Sequence, residues 1–472
     1  MERQDNELLK RLQKLTKHNS ELAEINEKLA RLNMKLIDEN DQLSAENDRL
    51  KKILRSDKVL KEVENKEVSE QQRSLKFKMA TVLFADIHGL RHLRENMDSQ
   101  AIMDELDEIY FHFDKIIKKY NIEKIKTIGD SYMSAGGIPV KNITNPVEVV
   151  LAALKMQNIL RDKQKNGQNG EIWKLRVGIH TGPVTAGISG QRKVSYDIKG
   201  DTVNIASRME AFGEYGSILI SVMTYELVKE LFLCEYYGKM PVKYKGDLEV
   251  FRVKGIRPEY SLDGAGLEPN ADFDTKFKLI QFSDIQEVIL DKLEKELPAN
   301  LYYHNVKHTV DVVTEVELIG WAEGVNDADI LLLKTAALFH DAGHIISYKD
   351  HEERSCELAR EYLPGYNYSA EQIERICQII MATKLPPEPK DLLEKIICDS
   401  DLDYLGRSDF IPVSNTLFKE LKERDMIGTL NDWNKLQIKF ISGHQYFTET
   451  ACRLREINKQ KQIERIKSLL EE

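Results

Sequence analysis

Leucine stands at positions 8, 15, 22, 29, 36, 43 and 50, one every seven residues without a miss. Taking these as d positions, the a positions hold Leu12, Asn19, Asn26, Asn33, Asn40, Asn47 and Leu54. A sustained heptad period is the signature of a left-handed coiled coil, because the stripe stays on one side only if helices wind around each other. Gly and Pro are absent from residues 1–54, and Glu, Lys and Arg fill the outer positions. Asparagine at a costs stability but pairs best with its twin across a parallel two-stranded seam. The pattern therefore predicts a parallel dimeric coiled coil over 1–54, roughly 70 Å long at ~1.5 Å per residue.

The rest of the chain changes texture twice. Residues 55–75 are polar and read as a helical connector. Over 76–257, β-branched runs (Ala80–Phe84, Leu175–Ile179, Ser217–Ile220) alternate with amphipathic stretches such as Ser99–Tyr120 and Pro146–Lys163, the pattern of an α/β or α+β domain. Residues 258–273 are rich in Gly, Pro and Asn and read as a linker. Over 274–472 strands largely vanish, and helical periods at Lys278–Leu297, Leu301–Ala322, Asp327–Phe339, His351–Tyr362, Ala370–Met381 and Lys435–Leu454 predict an all-α domain.

Charge and cysteine usage narrow the function. A formal charge of −10 argues against nucleic acid or an anionic membrane as main partner. The most apolar stretch, around Ile330 to Phe339, is interrupted by Lys334 and is too short to span a bilayer. The N-terminus lacks the apolar core of a signal peptide. Five cysteines without a CxxC spacing suggest reduced thiols, and a cytoplasmic location is expected.

In the central domain one apolar strand ends in Asp86 and a second turns at Gly129 into Asp130. Carboxylates delivered from strand ends can hold hard divalent cations on a phosphate-bearing substrate. Asn204 and Arg208 are four apart, on one face of a short helix. Together, Phe84-Ala-Asp-Ile87, the Lys126–Met133 segment, Arg176-Val-Gly-Ile-His-Thr-Gly182 and Asp197–Met209 resemble the class III nucleotide cyclases across residues 77–256.

That resemblance implies a ferredoxin-like α/β fold within an overall α+β chain, and a lyase that makes a cyclic nucleotide from a triphosphate. It implies a pair of magnesium or manganese ions per site, with Asp86, Ile87 and Asp130 as the metal positions. Asn204 would orient the ribose and Arg208 would stabilise charge at the α-phosphate. Lys243 aligns with the triphosphate lysine, although the family's Lys-Gly-Lys-Gly reads Lys-Tyr-Lys-Gly here, so Lys245 could share that role. Guanylate-making relatives carry Glu and Cys where this chain has Lys126 and Asp197. Lys126 can donate to adenine N1 and Asp197 can accept from the exocyclic amine, so ATP is the expected substrate and guanylate cyclase the alternative. In the family the metal aspartates come from one subunit and the remaining residues from the other; one chain holding both implies a homodimer.

Beyond residue 278 the signal is histidine spacing. His304 and His308 are four apart, expected on one helical face, and His340-Asp341 closes an apolar helix within Leu338-Phe-His-Asp-Ala-Gly-His344. Asp399-Ser-Asp-Leu-Asp403 adds acidic groups. The ordered set resembles the HD superfamily of metal-dependent phosphohydrolases over roughly 278–455. The resemblance implies His308, His340, Asp341 and Asp401 as ligands, with Asp399 as the alternative to Asp401. His344 and His351 would add a second metal or contact phosphate. One or two divalent ions (Mn, Fe, Mg or Zn) are expected. Tyr303-His-Asn305 with His308 and Asp311 is similar to the entry motif of cyclic nucleotide phosphodiesterases, which would make His304 the donor to the leaving oxygen; the absence of Pro-Gly after His344 departs from that pattern. Two rivals are a phosphohydrolase whose cyclase-like domain only senses nucleotide, and a coiled-coil scaffold without catalysis.

Overall fold

The computed structural model describes residues 74–470 except 89–98, 129–130, 167–173, 190–194 and 243–245. The expected coiled coil and nearly all of the connector lie outside the described residues, as do Asp130, Lys243 and Lys245.

The first half is a mixed sheet with helices on both faces. It runs β1 (Ser74–His88), α1 (Ser99–Lys119), β2 (Glu123–Ile128), β3 (Ser131–Gly136), α2 (Asn145–Asn166) and β4 (Lys174–Ser189). The order β2-β3-β1-β4, with antiparallel neighbours throughout, is the ferredoxin-like arrangement. It continues through β5 (Ser195–Lys199), α3 (Asp201–Phe212), β6 (Ile218–Ser221), α4 (Val222–Val228) and the long hairpin β7 (Phe232–Val242) with β8 (Gly246–Ile256). β6 adds to β4 in parallel and passes the sheet on to β8 and β7, while β5 pairs with the far end of β4.

β1 lies near the middle of this sheet and is buried on both faces. Leu83, Ala85 and Ile87 enter the core under α1 and α2; Val82 and Phe84 enter a second core with Val184, Ile198 and Ala206. This two-sided burial explains a near-continuous apolar run where alternation would mark a half-exposed strand. A chain of buried polar side chains crosses the same region. Thr81 donates to Asn145, contacts Thr181, and Thr181 contacts Thr224; Ser221 bonds both Thr224 and His180. Each such bond contributes about 1 kcal/mol, and more would be lost by orphaning one partner.

Residues 258–270 form two one-turn 3-10 helices, at Pro258–Tyr260 and Leu262–Gly264. From there α5 (Ala271–Glu296) runs for 26 residues, capped by Asn270, whose carbonyl oxygen accepts from Phe273 N–H. Its first turn seats Phe273 in the sheet core, edge-on to Phe232; its later turns seat Phe282, Ile285, Ile289 and Leu293 in the helical core.

The helical half continues with α6 (Val306–Ala322), α7 (Asp327–Phe339), α8 (His351–Tyr362), α9 (Ala370–Met381), α10 (Leu392–Asp401), α11 (Phe410–Glu423), α12 (Leu430–Gly443) and α13 (Glu449–Lys467). α7 is buried almost all round, which is why its sequence is the most apolar. Two expectations need correction. α6 begins at Val306, not at 301: the Asn305 side chain accepts from the N–H groups of Lys307 and His308, so His304 precedes the helix and does not share a helical face with His308. The expected helix Lys435–Leu454 is two helices. α12 stops at Gly443, Thr448 caps α13, and the buried Asp399 carboxylate accepts from the Phe447 and Thr448 N–H groups in the break.

Candidate active sites

Two clusters of chemistry-bearing side chains stand out, one on the sheet and one among the helices. On the sheet, Asp86 sits opposite Arg176 in the β1–β4 ladder. Arg176 Nη2 donates to Asp86 Oδ2 at 3.1 Å and its Nε donates to Glu210 Oε1 at 2.5 Å. Tyr215 lies under the guanidinium and donates to the same Asp86 oxygen at 3.2 Å. Burial pushes the Glu210 carboxyl up, against the pull of Arg176. Ile87 is buried in the core and offers a ligand only through its carbonyl.

α3 organises this site through its two faces. It lies so close to β4 that a Cβ on Gly178 would fall 2.1 Å from the Glu210 nitrogen. That contact explains the glycine within Arg176-Val-Gly-Ile-His-Thr-Gly182, and it brings Glu210 onto Arg176. The opposite face of α3 carries Asn204 and Arg208, both exposed. Just before α3, Asp197 on β5 meets Lys126 on β2, with Lys126 Nζ 2.7 Å from Asp197 Oδ1. Both side chains are nearly half exposed, so a donor and an acceptor stand side by side where a ligand can reach them. His180 of the same glycine motif is buried and bonded to Ser221, a structural role.

Among the helices, one carboxylate sits between two groups of imidazoles. Asp341 Oδ2 lies 3.3 Å from His340 Nε2 and 3.4 Å from His308 Nε2. Asp401 Oδ1 lies 3.1 Å from His308 Nε2 and 3.6 Å from His340 Nε2. The other Asp341 oxygen faces His351 Nε2 at 3.4 Å and His344 Nε2 at 4.0 Å, with the His344 and His351 rings stacked. Of the two candidate acids, Asp401 therefore joins the cluster while Asp399 caps the chain break.

This donor set fits a divalent cation. The His308 and His340 Nε2 atoms are 3.3 Å apart, and His340 donates its other ring proton to the Ala337 carbonyl, which turns Nε2 toward the cluster. Asp341 Oδ2 and both ring nitrogens of His344 are buried without a hydrogen-bond partner. Burial opposes charging of His340, but Asp341 and Asp401 hold its pKa well above the ordinary value. Asp341 is held well below the carboxylate range, against burial, by His340 and His351. Such a site holds either protons or a cation.

Two residues that motif reading did not single out complete the picture. Glu420 on α11 accepts from the Tyr303 and His304 N–H groups, and its Oε1 is 2.5 Å from His304 Nδ1. Burial opposes it, yet this bond, with the charges of Asp341, Glu420 and Asp401, raises the pKa of His304. Ser355 on α8 donates to the His340 carbonyl and accepts from Gly343 N–H. Neither carries a local signature: Glu420 is one more acid on an amphipathic helix. A cavity of about 270 Å³ opens beside the cluster, lined by Tyr303, Lys307, His308, Asp401, Tyr404 and Arg407.

Residues 73–255 match the family model of the adenylate and guanylate cyclase catalytic domain, and residues 305–403 match that of the HD domain. The chain joins a cyclase domain to an HD domain. The cyclase domain is 36% identical over 191 residues to an adenylate cyclase of Mycobacterium tuberculosis, covering 40% of this chain and 43% of that protein. It is 35% identical over 191 residues to guanylate cyclase 32E of Drosophila melanogaster, covering 40% of this chain and 16% of that one. The chain thus spans less than half the length of these curated relatives. Among solved structures, the catalytic core of a rhodopsin-guanylyl cyclase with converted specificity, in complex with ATPαS, is 32% identical; the match covers 39% of this chain and 98% of that one, with a TM-score of 0.36. No helix among the described residues is long and apolar enough to cross a membrane.

Proposed function

We propose that this chain is a homodimeric adenylate cyclase converting ATP to 3′,5′-cyclic AMP and pyrophosphate, with a second, metal-dependent phosphohydrolase site in its HD domain. The observation that carries the first reading is the Lys126–Asp197 pair, a donor and an acceptor 2.7 Å apart and open to solvent. Adenine offers the complementary pattern, an acceptor at N1 beside an exocyclic amine. Guanine offers the reverse pattern and matches neither group, a mismatch that separates substrates more than a missing methylene does.

Around the base pocket the remaining roles follow from position. Asn204 and Arg208, on the exposed face of α3, orient the ribose and neutralise charge at the α-phosphate. Lys243 binds the triphosphate, a role that Lys245 could share or take. Asp86, the Ile87 carbonyl and Asp130 would hold two magnesium or manganese ions, which supply a lowered pKa at the ribose 3′ hydroxyl and charge neutralisation at the leaving pyrophosphate. Arg176 pairs with Asp86 from the neighbouring strand and holds the carboxylate in place. The homodimer, through the coiled coil and the cyclase domain, supplies both halves of each site.

In the HD domain, His308, His340, Asp341 and Asp401 would hold one divalent ion, and His344 and His351 a second. Such ions supply a Lewis acid and a water of lowered pKa. Glu420 keeps His304 charged and in place, and His304 gives its proton to the leaving oxygen.

Incubating the protein with ATP or GTP under Mg²⁺ or Mn²⁺ and identifying products over time tests the cyclase. Cyclic AMP with pyrophosphate is expected; cyclic GMP as main product would replace this reading by the guanylate one. For the HD domain, cyclic AMP with Mn²⁺ should give 5′-AMP, and a yield no higher than that of His340→Ala would remove the phosphodiesterase reading.

A further inference from the structure

Two buried thiols meet where no step above uses them. Cys356 lies on α8 and Cys377 on α9, each 3% exposed. Cys356 Sγ is 3.5 Å from the Cys377 carbonyl oxygen, and Cys377 Sγ is 3.8 Å from the Cys356 carbonyl oxygen. Each thiol thus lies against the other residue's backbone, a close and reciprocal approach of α8 and α9.

We propose that Cys356 and Cys377 form a redox-modification site, a dithiol that a hydroperoxide converts into an intramolecular disulfide tying α8 to α9. Access comes from a groove of about 990 Å³ between these helices, lined by both cysteines and by Glu353, Arg360, Glu374 and Lys384. The charge of Arg360 favours the thiolate form of both sulfurs, against burial. Either sulfur can attack first; with Cys377 as nucleophile, Cys356 is the resolving thiol.

The chemistry balances. Cys377 thiolate attacks the terminal oxygen of the hydroperoxide; the O–O bond breaks, the leaving oxygen departs as water or alcohol, and Cys377 becomes a sulfenic acid. Cys356 sulfur then attacks the sulfenyl sulfur; the S–O bond breaks, and the departing hydroxide leaves as water with the Cys356 proton. Two thiols lose two electrons and two protons, and the peroxide takes them up. The bridge would fix the helix that also carries His351 and Ser355, so oxidation is placed to reach the metal-ligating cluster. That consequence rests on the HD reading; formation of the bridge does not.

The test is a peptide map of the full chain after hydrogen peroxide, alkylation of remaining thiols and digestion without reductant. A linked Cys356–Cys377 peptide, two hydrogens lighter than the dithiol and released by a reductant, is expected. It should be missing from Cys377→Ser and from Cys356→Ala, and the wild-type map decides even if either variant folds poorly. Exposed Cys452 serves as the internal reference. Recovery of Cys356 and Cys377 both alkylated, or of either as an unlinked sulfinic acid, at a dose that oxidises Cys452 would overturn the proposal.

Discussion

Lys126 and Asp197 stand 71 residues apart in the chain and 2.7 Å apart in space, and the proposed base choice rests on these two side chains. Exchanging them, Lys126→Glu with Asp197→Cys, should move the preference from ATP toward GTP by at least about tenfold in kcat/KM, measured on both nucleotides. Unchanged selectivity would discredit the base-reading role. Gly178 is the second residue on which much depends. Gly178→Ala places a methyl group against the α3 backbone, so a loss of about 1–3 kcal/mol is expected in a thermal or denaturant melt, together with lower cyclase activity. The acidic and histidine motifs were legible in the sequence because each packs several unusual residues into a few positions. Glu420, Ser355 and the partnership of Arg176 with Asp86 were not, since each is an ordinary polar residue whose role arises only when distant segments meet.

Elements were readable where periodicity was strong and blurred where caps decided. α8 and α9 start and stop where the pattern predicts, at His351–Tyr362 and Ala370–Met381. The turn before α6 was hidden because Tyr303 and His304 continue the helical period while Asn305 and Glu420 dictate another path. At the junction of the two halves, Glu148 on α2 accepts from Asn142, while Asp284 on α5 accepts from Ile143 N–H with both oxygens. Burial, helped by the charge of Asp284, raises Glu148 to about 7 against the Asn142 bond. Its folded pKa lies above the unfolded one, so between about pH 4.5 and 7 the folded state holds the extra proton and stability falls as pH rises. Glu148→Gln should therefore gain up to about 3 kcal/mol relative to wild type at pH 8 and nothing near pH 4, read from urea melts at each pH.

At the scale of the whole molecule, the proposed metal-holding and base-reading sets belong to one chain, so complementation between chains is the decisive measurement. Asp86→Ala chains and Arg208→Ala chains, each inactive alone, should recover about a quarter of wild-type activity when mixed after dissociation, because half the dimers are mixed and each has one intact site. No recovery would rule out shared sites. A separate measurement addresses the histidine cluster: Mn²⁺ should raise the melting temperature of the Asp86→Ala chain, and a chelator or Asp341→Asn should abolish that rise.

α5 has one end in each core, anchored by Phe273 at its start and by Phe282, Ile285, Ile289 and Leu293 further on. Because each added residue turns a helix by about 100°, a single insertion between Phe273 and Phe282 would swing the second set of anchors off its seat, whereas seven inserted residues would nearly restore the angle. The two halves are thus joined less like beads on a thread than like gears keyed to one shaft. Grafting either half onto a foreign partner would succeed only when the rotational phase of that shaft is kept.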